Sequence, residues 1–164
     1  MQFRNLFVQR VGAAAAFESG AGGLVSTVDD YYAFCRLMLN KGVRGRERLL
    51  AQASIESMTR DQLMPQQKKG AEIFFGSHSS WGFGMAVNIQ HDEPWTVPGR
   101  FGWDGGFGTS AYSASAPMRK NNRSSADTKN DFIGLLLMQR LMDSPTPPAV
   151  LNDFWTQAYH SLEA

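Results

Sequence analysis

No other stretch restricts this chain as much as Phe101-Gly102-Trp103-Asp104-Gly105-Gly106-Phe107-Gly108-Thr109-Ser110. Five of its ten residues are Gly or Asp, so the backbone must turn tightly there or run close to another group. Thr109 to Tyr112 favour a strand, and apolar runs flank the region on both sides. One implication is an Asp-Gly hairpin turn between two strands. The other is a strand edge whose glycines let a ligand or a second backbone come close. Residue type alone does not choose between them, so the surrounding chain must.

Residues 1–18 show neither clean periodicity nor a cap and are expected to be irregular or a frayed strand. Ser19-Gly20-Ala21-Gly22-Gly23-Leu24 is a flexible turn, and no Lys-Ser or Lys-Thr follows its glycines, which excludes a phosphate-binding loop. Ser26-Thr27 followed by Asp29-Asp30 starts a helix, and Val28, Tyr31, Tyr32, Cys35, Met38 and Leu39 follow at helical spacing. Asn40-Lys41-Gly42 ends it. A second helix is predicted from Leu49 to Leu63 through Ile55 and Met58, broken by Pro65 and the polar residues 66–70. From Ser80 the period changes. Trp81, Phe83, Met85 and Val87 alternate with Gly82, Gly84, Ala86 and Asn88, which predicts one half-buried strand. Residues 117–130 carry no apolar pattern and are expected to form an exposed polar loop. Phe132 to Met138 is a continuous apolar run, as expected of a strand covered on both faces. Pro147-Pro148 begins a last helix with the stripe Leu151, Phe154, Trp155, Ala158 and Leu162.

The chain's 164 residues, 43% of them hydrophobic, suit one domain with a real core or a piece of a larger one. A net charge of +1 gives no electrostatic pull toward nucleic acid or an anionic membrane. The single Cys35 excludes an internal disulfide and a cysteine-based zinc site, and reads as a buried inert thiol. His78, His91 and His160 do not fall at ligand spacing, so neither metal nor cofactor is expected. His91-Asp92 has the composition of a catalytic pair, though adjacent loop residues of this kind are ordinarily solvated. No apolar run approaches membrane-spanning length, and residues 1–16 lack the sustained apolar core of a signal peptide, so the compartment is left open.

Taken together these segments resemble the serine β-lactamase-like hydrolases: class C β-lactamases, penicillin-binding DD-peptidases and the esterases of that fold. Residues 19–31 resemble the family's Gly-rich turn and following helix. Leu49-Leu50 through Met58-Thr59 is similar to its next helix, and Trp81-Gly82-Phe83-Gly84-Met85 to the strand after it. Trp103-Asp104-Gly105-Gly106 sits where the family carries Lys-Thr-Gly, His-x-Gly or, in esterase-like members, Trp-x-Gly. Gly134 to Arg140 and the terminal helix are similar to its last strand and helix. The resemblance implies an α+β fold, the C-terminal part of the β-lactamase/transpeptidase-like architecture, with an antiparallel sheet and flanking helices. In this organisation residues 1–18 are an irregular segment, 19–70 a helical segment, and 71–164 the sheet with its polar loop and terminal helix.

The family's nucleophile motif is Ser-x-x-Lys, and none of the lysines at 41, 68, 69, 120 and 129 has a Ser three residues before it. Tyr-x-Asn, Ser-x-Asn and Gly-x-Ser-x-Gly are absent as well. The resemblance therefore implies a serine hydrolase region with no catalytic residue of its own. Trp103, Asp104, Gly105 and Gly106 would line the substrate cleft, with main-chain groups on the strand edge holding the acyl group. Trp103 offers no charge to a substrate carboxylate, which favours a neutral ester or amide over a β-lactam. Asp104 has a second reading as a turn carboxylate capping backbone N–H groups. The alternatives to an enzyme part are a non-catalytic truncated or split subunit and an unrelated α+β domain with a plain hairpin. The partners this implies are a small acyl substrate in the full enzyme, and either self-association or an N-terminal complementing chain.

Overall fold

The computed structural model describes residues 26–114 and 131–163. The expectations for residues 1–18, the turn over 19–24 and the loop at 117–130 lie outside the described residues.

Helix α1 (Val28–Leu39) starts as its sequence requires. The Thr27 hydroxyl accepts the Asp30 amide at 3.1 Å and donates to the Asp30 carboxylate at 2.9 Å. This satisfies an amide that no helical carbonyl reaches. Past Asn40, Lys41 (φ 52°) and Gly42 (φ 84°) reverse the chain, and the Gly42 amide bonds the Leu37 carbonyl at 2.9 Å. A small hairpin follows, β1 (Val43–Arg44) with β2 (Glu47–Arg48).

The second helix is shorter than its apolar pattern predicts: α2 runs only Gln52–Met58. The Leu49 and Leu50 amides both bond the Gly42 carbonyl instead of opening the helix. At the other end the Thr59 hydroxyl turns back to the Ile55 carbonyl at 2.9 Å. Asp61 collects the Leu63 amide at 2.9 Å, the Lys68 ammonium at 2.6 Å and the Ser80 hydroxyl. Such side-chain bonds compete with helix propagation. Pro65 opens a single turn, α3 (Pro65–Lys68), where its missing N–H costs nothing, and α4 (Glu72–Phe75) follows.

The alternation that predicts one strand from Ser80 is instead a hairpin, β3 (Ser79–Trp81) against β4 (Ala86–Asn88). The Gly82 amide closes the turn on the Met85 carbonyl at 2.9 Å. Its glycines fall on alternate positions, where a turn and a strand with small residues look alike. β5 (Phe101–Asp104), β6 (Ser110–Ala114) and β7 (Phe132–Leu136) complete a five-stranded sheet in the order β3-β4-β5-β6-β7, antiparallel throughout. With α5 (Ala149–Glu163) this is the α+β arrangement expected.

Residues directly opposite each other in a sheet share a face. Val87, Phe101, Ser113 and Ile133 form one such row. On that face Val87, Phe101 and Met85 are buried with Met38 and Leu39 of α1 and Ile55 of α2. The opposite row, Gly102, Tyr112 and Gly134, meets α5. There Trp155 and Tyr159 are buried with Val97 and Ala114, flanked by Phe132 and Phe154. The result is three layers, helix on sheet on helix, with a small core on each side.

Two details of this packing depart from the sequence pattern. Leu162 is exposed, and Tyr159 takes its place, because Leu151, Trp155 and Tyr159 at four-residue spacing keep one line toward the sheet. β7 stops at Leu136; α1 and α5 cover its two faces as expected, but only Gly134 is buried and its neighbours are half-buried, because it is the end strand of the described sheet.

Gly134 sets the approach of α5. A methyl there would overlap the Trp155 indole. Without it the ring lies on the strand and meets Tyr112 edge-on, centroids 5.4 Å apart at 89°. Gly134→Ala is expected to cost about 1–3 kcal/mol through this overpacking. The cost reads as a lower urea midpoint, followed by tryptophan fluorescence, at unchanged m-value. An unmoved midpoint would show that α5 does not need bare backbone at this position.

Candidate functional site

The Gly-rich stretch is the β5–β6 hairpin. Pairing runs from Phe101 opposite Ser113 to Asp104 opposite Ser110. The Gly105 amide donates to the Thr109 carbonyl at 2.7 Å and the Gly108 amide to the Gly105 carbonyl at 2.8 Å. The Gly106 carbonyl accepts the Met142 amide at 2.8 Å. Close backbone approach is also present, at Gly102, where a Cβ would meet the Ala111 carbonyl and Tyr112. Both implications of the sequence are therefore realised in one element.

β4 does not follow β5 to its end. The register pairs Val87 with Phe101 and Ala86 with Gly102, and stops. Among the described residues, Trp103 and Asp104 have a strand neighbour only on the β6 side. The other edge of β5 opens there.

Strand alternation then separates the two residues. Trp103 lies on the α1 side, 39% exposed, with Trp81 edge-on at 4.7 Å. Tyr31 and Phe34 of α1, Met58 of α2, Phe83 and Met85 of the β3–β4 turn, and Trp103 line a cavity of about 170 Å³. Among the described residues, no charged side chain lines it. Cys35 is on its wall, buried, and burial pushes the thiol pKa up against the opposing influence of Ser113. A thiol raised in this way is a poor nucleophile at neutral pH.

Asp104 points to the α5 side. Its carboxylate accepts the Ser110 hydroxyl at 2.5 Å and the Tyr112 hydroxyl at 3.1 Å. Ser110, fully buried, accepts the Trp155 Nε1–H at 2.8 Å. Arg100, also buried, places its guanidinium 3.6 Å from the centre of the Tyr112 ring and 4.3 Å from that of Trp155. Burial lowers the Arg100 pKa, and Tyr112, Tyr159 and Asp104 oppose that shift. Burial first, and Asp104 next, push the Tyr112 phenol up, so it stays protonated and donates.

The four contiguous residues predicted to line the cleft are thus divided. Trp103 is at the cavity. Asp104 is in a polar chain beneath α5 and does not cap backbone N–H groups as its second reading expects: its partners are the Ser110 and Tyr112 hydroxyls. Gly105 and Gly106 form the turn, with the backbone bonds described. The sequence reasoning missed Tyr31, Phe34 and Phe83 as cavity wall. The available signal was that the apolar residues of α1 are too many for one buried stripe, and Tyr31 and Phe34 are in fact well exposed. His91-Asp92 is not a pair. Asp92 instead bonds His78 Nδ1 at 2.8 Å and accepts the Thr96 hydroxyl at 2.7 Å.

The sequence matches the family model described as Beta-lactamase over residues 4–115. Two proteins of Mycobacterium tuberculosis are similar to it: Protein Rv1367c of strain ATCC 25618 / H37Rv and Uncharacterized protein MT1414 of strain CDC 1551 / Oshkosh. Each is 33% identical over 105 residues, which covers 57% of this chain and 25% of the relative. The matched region thus spans about a quarter of the length of these curated relatives.

Two expected outcomes follow from the carboxylates. Burial raises the pKa of Asp61 and Asp92, but Lys68 and Ser80 at the first, and Thr96 and His78 at the second, outweigh it and hold both below the usual carboxylate range. A depressed folded pKa gives stability that is present above the unfolded value, about 3.9. That stability is lost as pH falls through the folded value. The melting temperature should therefore drop on acidification below about pH 4, and less steeply in an Asp61→Asn, Asp92→Asn double variant. An identical pH profile in the two proteins would clear these residues of the effect. Asp104→Asn should cost about 1.5–3 kcal/mol, because the carboxylate's charge-assisted bonds go and Arg100 loses its balancing charge. The near-UV dichroism of Tyr112 and Trp155 should change with it. Full stability in that variant would break the link from Asp104 to α5.

Proposed function

The chain belongs to the beta-lactamase family, and on that premise we propose that it supplies the substrate-side wall of an acyl-transfer serine hydrolase whose nucleophile lies outside these residues. The observation that carries this is the open edge of β5 at Trp103 and Asp104 beside an uncharged cavity. A strand edge offers N–H and C=O groups at fixed spacing to an extended substrate. Donors fixed in this way stabilise an oxyanion without reorganising as charge develops. The sequence contains no Ser-x-x-Lys, so the serine and its base would come from another segment or chain, and the reaction would proceed through acylation and deacylation. Trp103 and the uncharged lining favour a neutral ester or amide over a substrate recognised through its carboxylate.

A second function, that of a non-catalytic complementing subunit, is favoured by a different observation. β7 ends the described sheet as an apolar strand followed by the exposed Leu137. An apolar sheet edge is a template for pairing with another chain.

The chain alone is expected to hydrolyse neither nitrocefin nor p-nitrophenyl esters, and to gain no mass from a fluorophosphonate or a penicillin. Joined to, or mixed with, a segment that carries Ser-x-x-Lys, it should turn over p-nitrophenyl esters. Trp103→Ala should then lower kcat/KM about tenfold, equivalent to ~1.4 kcal/mol. Covalent labelling of the isolated chain would overturn the assignment of the nucleophile to another segment. Ester turnover indifferent to Trp103 would remove this residue from the substrate wall. Stable association with such a segment, without turnover, would favour the complementing subunit.

A further inference from the structure

We propose that the cavity between α1, the β3–β4 turn and β5 is a binding pocket for one uncharged aromatic ring or branched short alkyl group, carried on the acyl side of the substrate. The acyl assignment rests on the hydrolase function proposed above; the ring-binding property does not.

Size is the first argument. At about 170 Å³ the space compares with dry apolar protein cavities of ~150 Å³ that take up benzene. It is too small for a peptide helix, which anchors through several side chains over two turns and needs a long groove. Charge is the second. Among the described residues no Asp, Glu, Lys, Arg or His side chain lines the space, so a charged ligand would lose its hydration there and gain no ion pair from them. Exposure is the third. Tyr31 (38%), Phe34 (40%) and Phe83 (56%) stand open around it with Trp103. A contiguous apolar surface of this kind marks a binding site more often than a solvated face. Met58 and Met85 add unbranched, polarisable walls that adjust to an irregular ligand.

Position gives the pocket its role. Trp103 is both its wall and a residue of the open β5 edge. A substrate lying along that edge would put its scissile carbonyl against the backbone and its side group between Trp103 and Phe83. On the α5 side of the sheet, among the described residues, Arg100 instead packs against the rings of Tyr112 and Trp155.

The test is binding of toluene to the whole chain, with benzoate as the charged control, read by thermal melting and tryptophan emission. A ligand that binds only the folded state raises the melting temperature with its concentration. Toluene should do so and benzoate should not. Ala111→Leu, which fills the pocket from β6, should abolish the response. Should that variant fail to fold, Phe83→Ala, on an exposed turn, should weaken toluene binding about fivefold or more. An absent toluene shift, an equal benzoate shift, or a toluene shift unchanged in the variants would overturn the pocket. So would a shift that appears only as the chain dimerises in sedimentation velocity, which would assign this face to a second copy. Toluene binding without ester turnover in the completed protein would retire the hydrolase function and leave a ring-binding pocket. Turnover without toluene binding would retire the pocket alone.

Discussion

The indole of Trp155 is the contact on which the rest of this structure depends. Its N–H is donated to Ser110 on β6, its ring needs the bare backbone of Gly134 on β7, and its face receives the Arg100 guanidinium. A buried guanidinium costs several kcal/mol of lost hydration unless something replaces the water. Here the replacements are a hydrogen bond to the Asn88 side-chain oxygen at 3.3 Å, the faces of Tyr112 and Trp155, each able to contribute ~2 kcal/mol when water is excluded, and the charge of Asp104. Remove α5 and the Trp155 face is lost, together with the indole N–H that bonds Ser110, the partner of Asp104. The terminal helix is thus coupled to the end of β5 through hydrogen bonds and charge as well as through apolar area.

That coupling has a consequence for the cleft. Asp104 is the residue next to Trp103, so the bonds that tie α5 to the sheet also fix the strand end where the cleft opens. Alternation puts one of these side chains in the polar chain and its neighbour at the cavity. A loop holding Trp103 would let its ring wander. A strand whose next residue is bonded twice from the far face holds it against Trp81. The two faces of the sheet have divided the work: the α5 face is filled and bonded, whereas the α1 face is left with a gap rimmed by exposed aromatics.

What was legible in the sequence was mostly local. The start of α1 could be read because Thr27 and Asp30 are three residues apart, and its end because Gly42 sits just beyond Asn40. The β5–β6 hairpin could be read because Asp-Gly leaves the backbone few other options. The β3–β4 turn was hidden because its glycines keep the period of a strand. The second helix was overestimated because Asp61 is held by Lys68 and Ser80, contacts no window around Asp61 reveals. His78 pairs with Asp92 rather than His91 doing so, for the same reason. The division of Trp103 from Asp104 is different. It follows from a strand's two-residue period and was available from the sequence, but a motif read as a block of four residues conceals it.

The distribution of packing bears on how catalysis could be shared between this region and another. Among the described residues each face of the sheet carries a packed core cluster, and Phe101 of β5 belongs to one of them, so the strand that forms the wall is anchored there. In the proposed function the missing element therefore brings reactive side chains, a serine and its base, to a surface already shaped. Preorganised binding groups and a separately supplied nucleophile are compatible, because transition-state stabilisation depends on their relative placement when the substrate is bound. The demand falls on the docking of the second element. It must hold the serine to within a few tenths of an ångström of the acyl carbon's line of attack, and the rigid reference for that docking is the strand end fixed by Asp104, Ser110 and Trp155.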